Sequence, residues 1–192
     1  MTTGTKPARP QRPVRMPGDP SKEDMLERMI RVDHAGEYGA VRIYEGQLAV
    51  LGQAASRPDI EHMVEQERVH LEKFNSLIRE RKVRPTALMP LWHMAGFALG
   101  AGTALMGEKA AHACTVAVEE VIDEHYAEQV EALDAEGDEG ALCDTFETFR
   151  LEELEHRETA LGHGAEMAPG YEVLKAAVKT GSKLAIWLSK RV

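Results

Sequence analysis

Cysteine, aromatic residues and β-branched runs are all scarce in this chain. Only Cys114 and Cys143 are present, and they form no CxxC or other ligand spacing. That excludes a disulfide framework and a cysteine-bound metal, and leaves two ordinary reduced thiols of a cytoplasmic protein. Aromatic residues supply 5% of the 192 residues while Ala, Leu, Glu and Met abound, a balance that favours helix over sheet. Unopposed basic charge is missing too. The net charge of -9 argues against nucleic acid as a partner, because phosphate binding needs Lys and Arg not offset by carboxylates. Residues 1–20 hold Pro7, Pro10, Pro13, Pro17 and Pro20 with Lys6, Arg9, Arg12 and Arg15 and no apolar run. They are expected to be a disordered tail rather than a secretory signal.

What remains reads as one all-α domain over residues 21–192, long enough to bury its own core. Ser21 with Asp24 forms a capping pattern, after which Leu26, Ile30, Glu37, Val41, Tyr44, Leu48 and Leu51 recur at helical spacing. Gly52 and Pro58 separate this helix from a second, with Ile60, Met63, Val64, Glu67, His70, Phe74 and Leu77 on its stripe, that stops near Pro85. A third starts near Glu108 and aligns Val116, Glu119, Ile122, Tyr126, Val130 and Leu133; a fourth aligns Leu142, Phe146, Phe149, Glu153, His156 and Ala160. Between the second and third, residues 85–107 contain no Lys, Arg, Asp or Glu. Their length approaches a bilayer span, but Pro90, His93, Gly96, Gly100 and Gly102 weaken that reading. Burial on the protein or contact with a membrane interface fits better. At the C-terminus Val173, Leu174, Leu184, Ile186, Trp187 and Leu188 mix with Lys175, Lys179, Lys183, Lys190 and Arg191. Such a cationic amphipathic helix suits an anionic membrane surface, or docks on the bundle with a solvated Lys face.

The chemistry lies in carboxylates that sit on apolar stripes, where an unpaired charge costs several kcal/mol unless a cation or a proton compensates it. Glu67 with His70, and Glu153 with His156, are ExxH pairs, a spacing that puts both side chains on one helix face. One such pair is weak evidence, since this composition gives about one by chance. The signal is the repeat: Glu37 lies 30 residues before Glu67 and Glu119 lies 34 before Glu153. Each helix hairpin thus carries Glu on its first helix and ExxH on its second. Two such hairpins make a four-helix bundle with six inward ligands, the donor set of ferritin-like di-iron or di-manganese proteins. Hard carboxylate oxygens with one imidazole per metal suit iron or manganese over zinc. Glu119 is preferred to Glu120 because it shares a face with Val116, Ile122 and Tyr126. His125 and Tyr126, two turns on, either approach the metal pocket and a ring substrate or serve as a surface His and a core Tyr. Asp33 either orients a ligand or is a plain exposed acid. His34, His62, His93, His112 and His163 have no partner at convincing spacing and read as structural.

The wording of the helices adds a resemblance. Arg31 to Gly52 (RVDHAGEYGAVRIYEGQLAVLG), Val83 to Gly107, Ala113 to Tyr126 (ACTVAVEEVIDEHY) and Leu151 to His156 (LEELEH) resemble the demethoxyubiquinone hydroxylase family, and the likeness extends from Arg28 to Val192. It implies a ferritin-like bundle with an extra apolar segment between helices two and three and a C-terminal amphipathic helix. It implies an O2-dependent monooxygenase that hydroxylates the ring of a polyprenylated methoxy-methyl-benzoquinone in ubiquinone biosynthesis. Glu37, Glu67, His70, Glu119, Glu153 and His156 would hold two iron ions, with NADH as electron donor, although no GxGxxG motif supports the last point. The resemblance also implies peripheral membrane binding, expected at the cytoplasmic face of the cell membrane, and the apolar segment around Trp92 and Phe97 is expected to admit the isoprenoid tail from the bilayer. A homo-oligomer and a lipid-binding helper protein stay open as partners. The rival reading is a ferritin-like iron-oxidising or iron-storage protein, which leaves the apolar segment unexplained.

Overall fold

The computed structural model describes residues 15–192, and these form six α-helices, one 3-10 turn and no strand. Helix α1 (Lys22–Val50) starts on Ser21, whose hydroxyl accepts from the Asp24 amide at 3.0 Å while the Asp24 carboxylate accepts from the Ser21 amide at 3.2 Å. This reciprocal cap satisfies two backbone donors that the helix leaves free. Helix α2 (Arg57–Arg81) carries Pro58 in its first turn, where no intrahelical N–H is needed. Helix α3 (Met89–Leu105) uses Pro90 in the same way, so this proline starts a helix instead of breaking one. Helices α4 (Glu108–Glu136), α5 (Gly140–Gly162) and α6 (Tyr171–Ser189) follow, with the 3-10 turn Ala165–Met167 before α6. Of the expected disordered tail, residues 1–14 lie outside the described residues. Residues 15–20 make a turn on the bundle, where Arg15 pairs with the buried Glu136.

Helices α1, α2, α4 and α5 form the bundle, with α3 laid on α1 and α6 laid on α4. Two apolar clusters fill the bundle at different levels. One gathers Leu26, Ile30, Phe74, Leu133 and Phe146; the other gathers Tyr44, Ile60, Met63, Val64 and Ala111. Glu37, Glu67 and Glu119 fall between these levels on α1, α2 and α4, and Glu153 follows Phe149 of the first cluster on α5, so the carboxylate layer is sealed above and below along the bundle.

The apolar segment has a specific job in this packing. A Cβ on Gly100 would lie 1.9 Å from the Ile43 carbonyl oxygen, one on Gly46 would lie 2.3 Å from that of Phe97, and one on Gly96 would lie 2.9 Å from that of Gly39. Glycine therefore lets α3 touch the backbone of α1 along its length. The opposite side of α3 is left uncovered, with Leu91, Met94 and Leu105 at least half exposed. Among the described residues no helix is long and apolar enough to cross a membrane.

Helix α6 turns its lysines the other way from the anionic-surface reading. Lys175 and Lys179 pair with Glu120 of α4 at 2.7 and 2.8 Å, and Lys183 pairs with Glu124 at 2.8 Å. Val173, Leu184 and Trp187 are its exposed large apolar side chains. The acidic outer face of α4 attracts the basic stripe, which leaves the apolar stripe outward.

His112 of α4 lies fully buried against the end of α5, with neither ring nitrogen hydrogen-bonded. Its ring stacks on His163 at 4.6 Å, and His163 Nε2 in turn lies 2.7 Å from Asp59. Burial first, and then the neighbouring His163, lower the His112 pKa from 6.5 to about 4. Between those values the unfolded chain binds the extra proton, so this contribution to stability is complete above about pH 6.5 and is lost as pH falls towards about 4. Unfolding free energies from denaturant titrations at about pH 7 and about pH 4.5 are expected to differ more in the wild type than in His112→Leu, by up to ~3 kcal/mol. Equal acid sensitivity in the two proteins would show that His112 is not held neutral.

Candidate metal centre

Six side chains meet in the sealed layer: Glu37 from α1, Glu67 and His70 from α2, Glu119 from α4, and Glu153 and His156 from α5. None is more than 3% exposed. Their donor atoms fall into two groups, each within 4.8 Å: Glu37, Glu67, His70 and Glu153 in one, Glu67, Glu119, Glu153 and His156 in the other. Glu67 and Glu153 belong to both. Two ions held there would share Glu67 and Glu153, with Glu37 and His70 for one and Glu119 and His156 for the other. Glu120 is turned outward onto α6.

Both histidines aim Nδ1 inward. His70 Nδ1 lies 3.1 Å from Glu153 and 3.3 Å from Glu37; His156 Nδ1 lies 3.1 Å from Glu153 and 3.3 Å from Glu67. Burial pushes the Glu37 and Glu119 carboxyls well above the usual range, and the neighbouring carboxylates add to the rise. Burial also pushes Glu67 upward, but His156 and His70 outweigh it and hold the group below the carboxylate range. For the histidines burial favours the neutral form, yet Glu153, Glu37 and Glu67 drive His70 far up and Glu153 with Glu67 raises His156 to about 11. Protons thus stand where cations would. A metal ion entering the site would displace them, so its affinity would rise with pH.

The residues fit a pair of metal ions. Glu67 Oε1 and Oε2, His70 Nδ1, Glu119 Oε2 and Glu153 Oε1 are buried atoms without a hydrogen-bond partner, and native proteins rarely leave such atoms unsatisfied. They converge from different helices onto the same two positions. The donor set, mostly carboxylate with one imidazole each, suits iron or manganese. Two tyrosines complete the layer in a crossed arrangement. Tyr44 of α1 donates to Glu119 of α4 at 2.8 Å, and Tyr126 of α4 donates to Glu37 of α1. Burial and the adjacent carboxylates raise both phenols well above 10, so they stay protonated as donors.

One side of the layer opens on a cavity of about 390 Å³ between α1, α3, α4 and α6. Ile43, Leu99, Val118 and Ile186 line its body, and its polar rim holds Asp33, Glu37, His125 and Tyr126. Gln129 donates to Asp33 at 3.0 Å and lies 3.0 Å from His125 Nε2. Burial raises the Asp33 pKa, and His125 and Gln129 oppose that rise. Trp92 lines the cavity and donates from its indole to Ser189 of α6 at 3.1 Å. Phe97 does not line it, and lies under the Arg42 guanidinium at 4.9 Å. Five residues of helix turn Phe97 by roughly 140° from Trp92, which puts the two on different flanks.

The family model described as Ubiquinone biosynthesis protein COQ7 matches residues 24–189. The chain belongs to this family. A Rhodospirillum rubrum member named 3-demethoxyubiquinol 3-hydroxylase is 57% identical over 93% of this chain and 84% of its own length. The Homo sapiens NADPH-dependent 3-demethoxyubiquinone 3-hydroxylase, mitochondrial, is 54% identical over 87% of this chain and 78% of its own. The Saccharomyces cerevisiae 5-demethoxyubiquinone hydroxylase, mitochondrial, is 43% identical over 87% and 78%.

Several contributors in this family member escape the sequence reading. Tyr44 passes there as a core residue, though Glu37 and Glu119 are each followed seven positions on by a tyrosine, Tyr44 and Tyr126. That repeat is the signal that would have exposed it. Gln129 carries none. His34 is 3.1 Å from Asn75 and His93 is 2.6 Å from Tyr38, both outside the metal layer.

Proposed function

We propose that this protein hydroxylates the ring of a demethoxyubiquinone, in its quinol form, with O2 at a carboxylate-bridged di-iron centre. The observation that carries the reading is the apolar cavity that ends on Glu37 and Tyr126, at the edge of a buried two-metal donor set. Iron bound there supplies the reaction with O2. The chain's own part is placement. Tyr126 and Tyr44 hold Glu37 and Glu119 in orientation, the two apolar clusters keep bulk water from the layer, and α3 and α6 wall a space for the ring and the first part of its tail. One oxygen atom ends in the ring hydroxyl and the other in water, with two electrons and two protons from an outside donor. That donor is a nicotinamide nucleotide, NADH or NADPH.

The test is single turnover. Protein loaded anaerobically with ferrous iron, given the quinol and then isotopically labelled O2, is expected to yield hydroxylated product with one labelled oxygen. Unlabelled product, or iron oxidised and accumulated with the quinol untouched, would favour the storage reading instead.

Gly39 gives a second check on the cavity. It lines the space, and a Cβ there would have no atom within 4 Å. Gly39→Leu is expected to fold at least as well, since Leu is about 1 kcal/mol the better helix former. It keeps its iron and loses roughly tenfold or more in kcat/KM by filling the cavity. Full activity in this variant would place the substrate elsewhere.

The uncovered side chains of α3 and α6 support peripheral attachment to the cytoplasmic face of the cell membrane, where a tailed quinone is dissolved. Met94 and Leu184 are 71% and 55% exposed. Met94→Glu with Leu184→Glu is expected to cost about 2–3 kcal/mol of liposome binding, near a hundredfold, with iron content unchanged. Unaltered liposome binding would assign this surface to another copy of the chain or to a lipid-binding helper protein.

A further inference from the structure

The two metal-binding histidines are braced from outside by residues on the opposite helix. His70 of α2 directs Nε2 at the carboxylate of Glu152 on α5, and His156 of α5 directs Nε2 at the side-chain oxygen of Gln66 on α2, 3.1 Å away. Each brace immediately precedes a bridging carboxylate, Glu152 before Glu153 and Gln66 before Glu67. The two braces therefore cross between α2 and α5 as a near-symmetric pair. The symmetry fails in one respect: one acceptor is a carboxylate and the other an amide.

We infer that Glu152 and Gln66 are positioning residues that make the two metal positions electronically unequal. This rests on the di-iron reading above. A histidine whose outer N–H is given to a carboxylate is the stronger donor through its inner nitrogen than one braced by an amide oxygen, because the charged acceptor draws the proton further. The stronger donor favours the more highly charged ion. Iron at the Glu37 and His70 position is therefore stabilised as ferric, and iron at the Glu119 and His156 position is the first to be reduced. The surroundings differ in the same layer: Phe149 stacks on His70 at 3.9 Å, whereas Tyr44 meets His156 edge-on at 6.1 Å. Glu37 borders the cavity, so the position with the carboxylate brace is the one nearest the space for substrate.

The test is a reductive titration of the diferric protein with dithionite and mediators, one electron to each iron, followed by EPR and Mössbauer spectroscopy. The wild type is expected to reduce in two separated steps with a strong mixed-valent signal at the midpoint. Glu152→Gln equalises the braces, so the steps draw together and the mixed-valent signal falls several-fold. Gln66→Glu equalises them in the other sense, with the same convergence at a lower potential. The double exchange restores two steps. Glu152→Gln is also expected to weaken metal affinity at one position by about 10–100-fold, seen as a biphasic ferrous titration. A merely structural role would change the melting temperature without moving the steps. Two irons per chain with unchanged step separation in Glu152→Gln would overturn the inference, whereas wild-type protein that never holds two irons would overturn the di-iron reading itself.

Discussion

Replacing Glu153 by Ala is expected to empty both metal positions, not one. Glu153 contributes to both donor groups, as Glu67 does, whereas Glu37 and Glu119 each serve a single group. Its loss takes a carboxylate from each ion and leaves His70 and His156 without the anion that lies 3.1 Å from each Nδ1. Iron by elemental analysis should fall from about two per chain to nearly none, against about one in Glu37→Ala. Hydroxylation should fall by at least about a thousandfold, because no protein side chain can replace the metal in a reaction with O2. The fold should survive, since Ala is a good helix former and His70 and His156, no longer raised by Glu153, can stay neutral in the buried layer. Thermal melting with and without ferrous iron checks this: a metal held at about a thousand times its Kd adds ~4 kcal/mol to the wild type, and the variant should gain almost nothing. Retention of one tightly bound iron by Glu153→Ala would show that the carboxylate does not bridge.

Gly100→Val is the substitution outside the metal layer with the largest expected effect. Its Cβ would sit 1.9 Å from the Ile43 carbonyl oxygen and 2.7 Å from the carbonyl carbon, both backbone atoms that cannot swing aside. Helix α3 must then lift off α1. Overpacking of this kind costs about 3 kcal/mol or more, which in a chain of this size lowers the melting temperature by roughly 6–12 °C. Gly102→Ala, on the same helix with no atom within 4 Å of its Cβ, should stabilise by up to ~1 kcal/mol. No ligand comes from α3, so Gly100→Val is expected to keep its iron while hydroxylation drops. Loss of iron in step with activity would mean that α3 also supports the metal layer.

Much of the site was legible because its signal is local. A helix puts residues three and four apart on one face, so each ExxH pair, and the Glu one helix earlier, could be read without knowing how the helices pack. Glu119 could be told from Glu120 by the same periodicity. The crossed supports could not. Tyr44 reaches Glu119 across 75 positions of sequence and Glu152 reaches His70 across 82, and no spacing on one helix reports a partner on another. Trp92 and Phe97 look equivalent in an apolar run, yet helical rotation sends one to the cavity and the other to Arg42.

By itself the sequence determined the helical class, the helix ends at Ser21, Pro58 and Gly137, the six candidate ligands and the family likeness, all of which rest on periodicity, capping chemistry and residue identity. Only the tertiary structure decided what the remaining apolar and basic residues do. The lysines of α6 face Glu120 and Glu124 of α4, not a surrounding surface, and the glycines of α3 are contact points on α1, not interruptions. The cavity exists because small residues of three helices, among them Gly39 of α1, Gly96 of α3 and Gly181 of α6, face the larger side chains of α4. Such a void belongs to the arrangement of the helices, because its walls are distant in the chain and none of them encloses space alone.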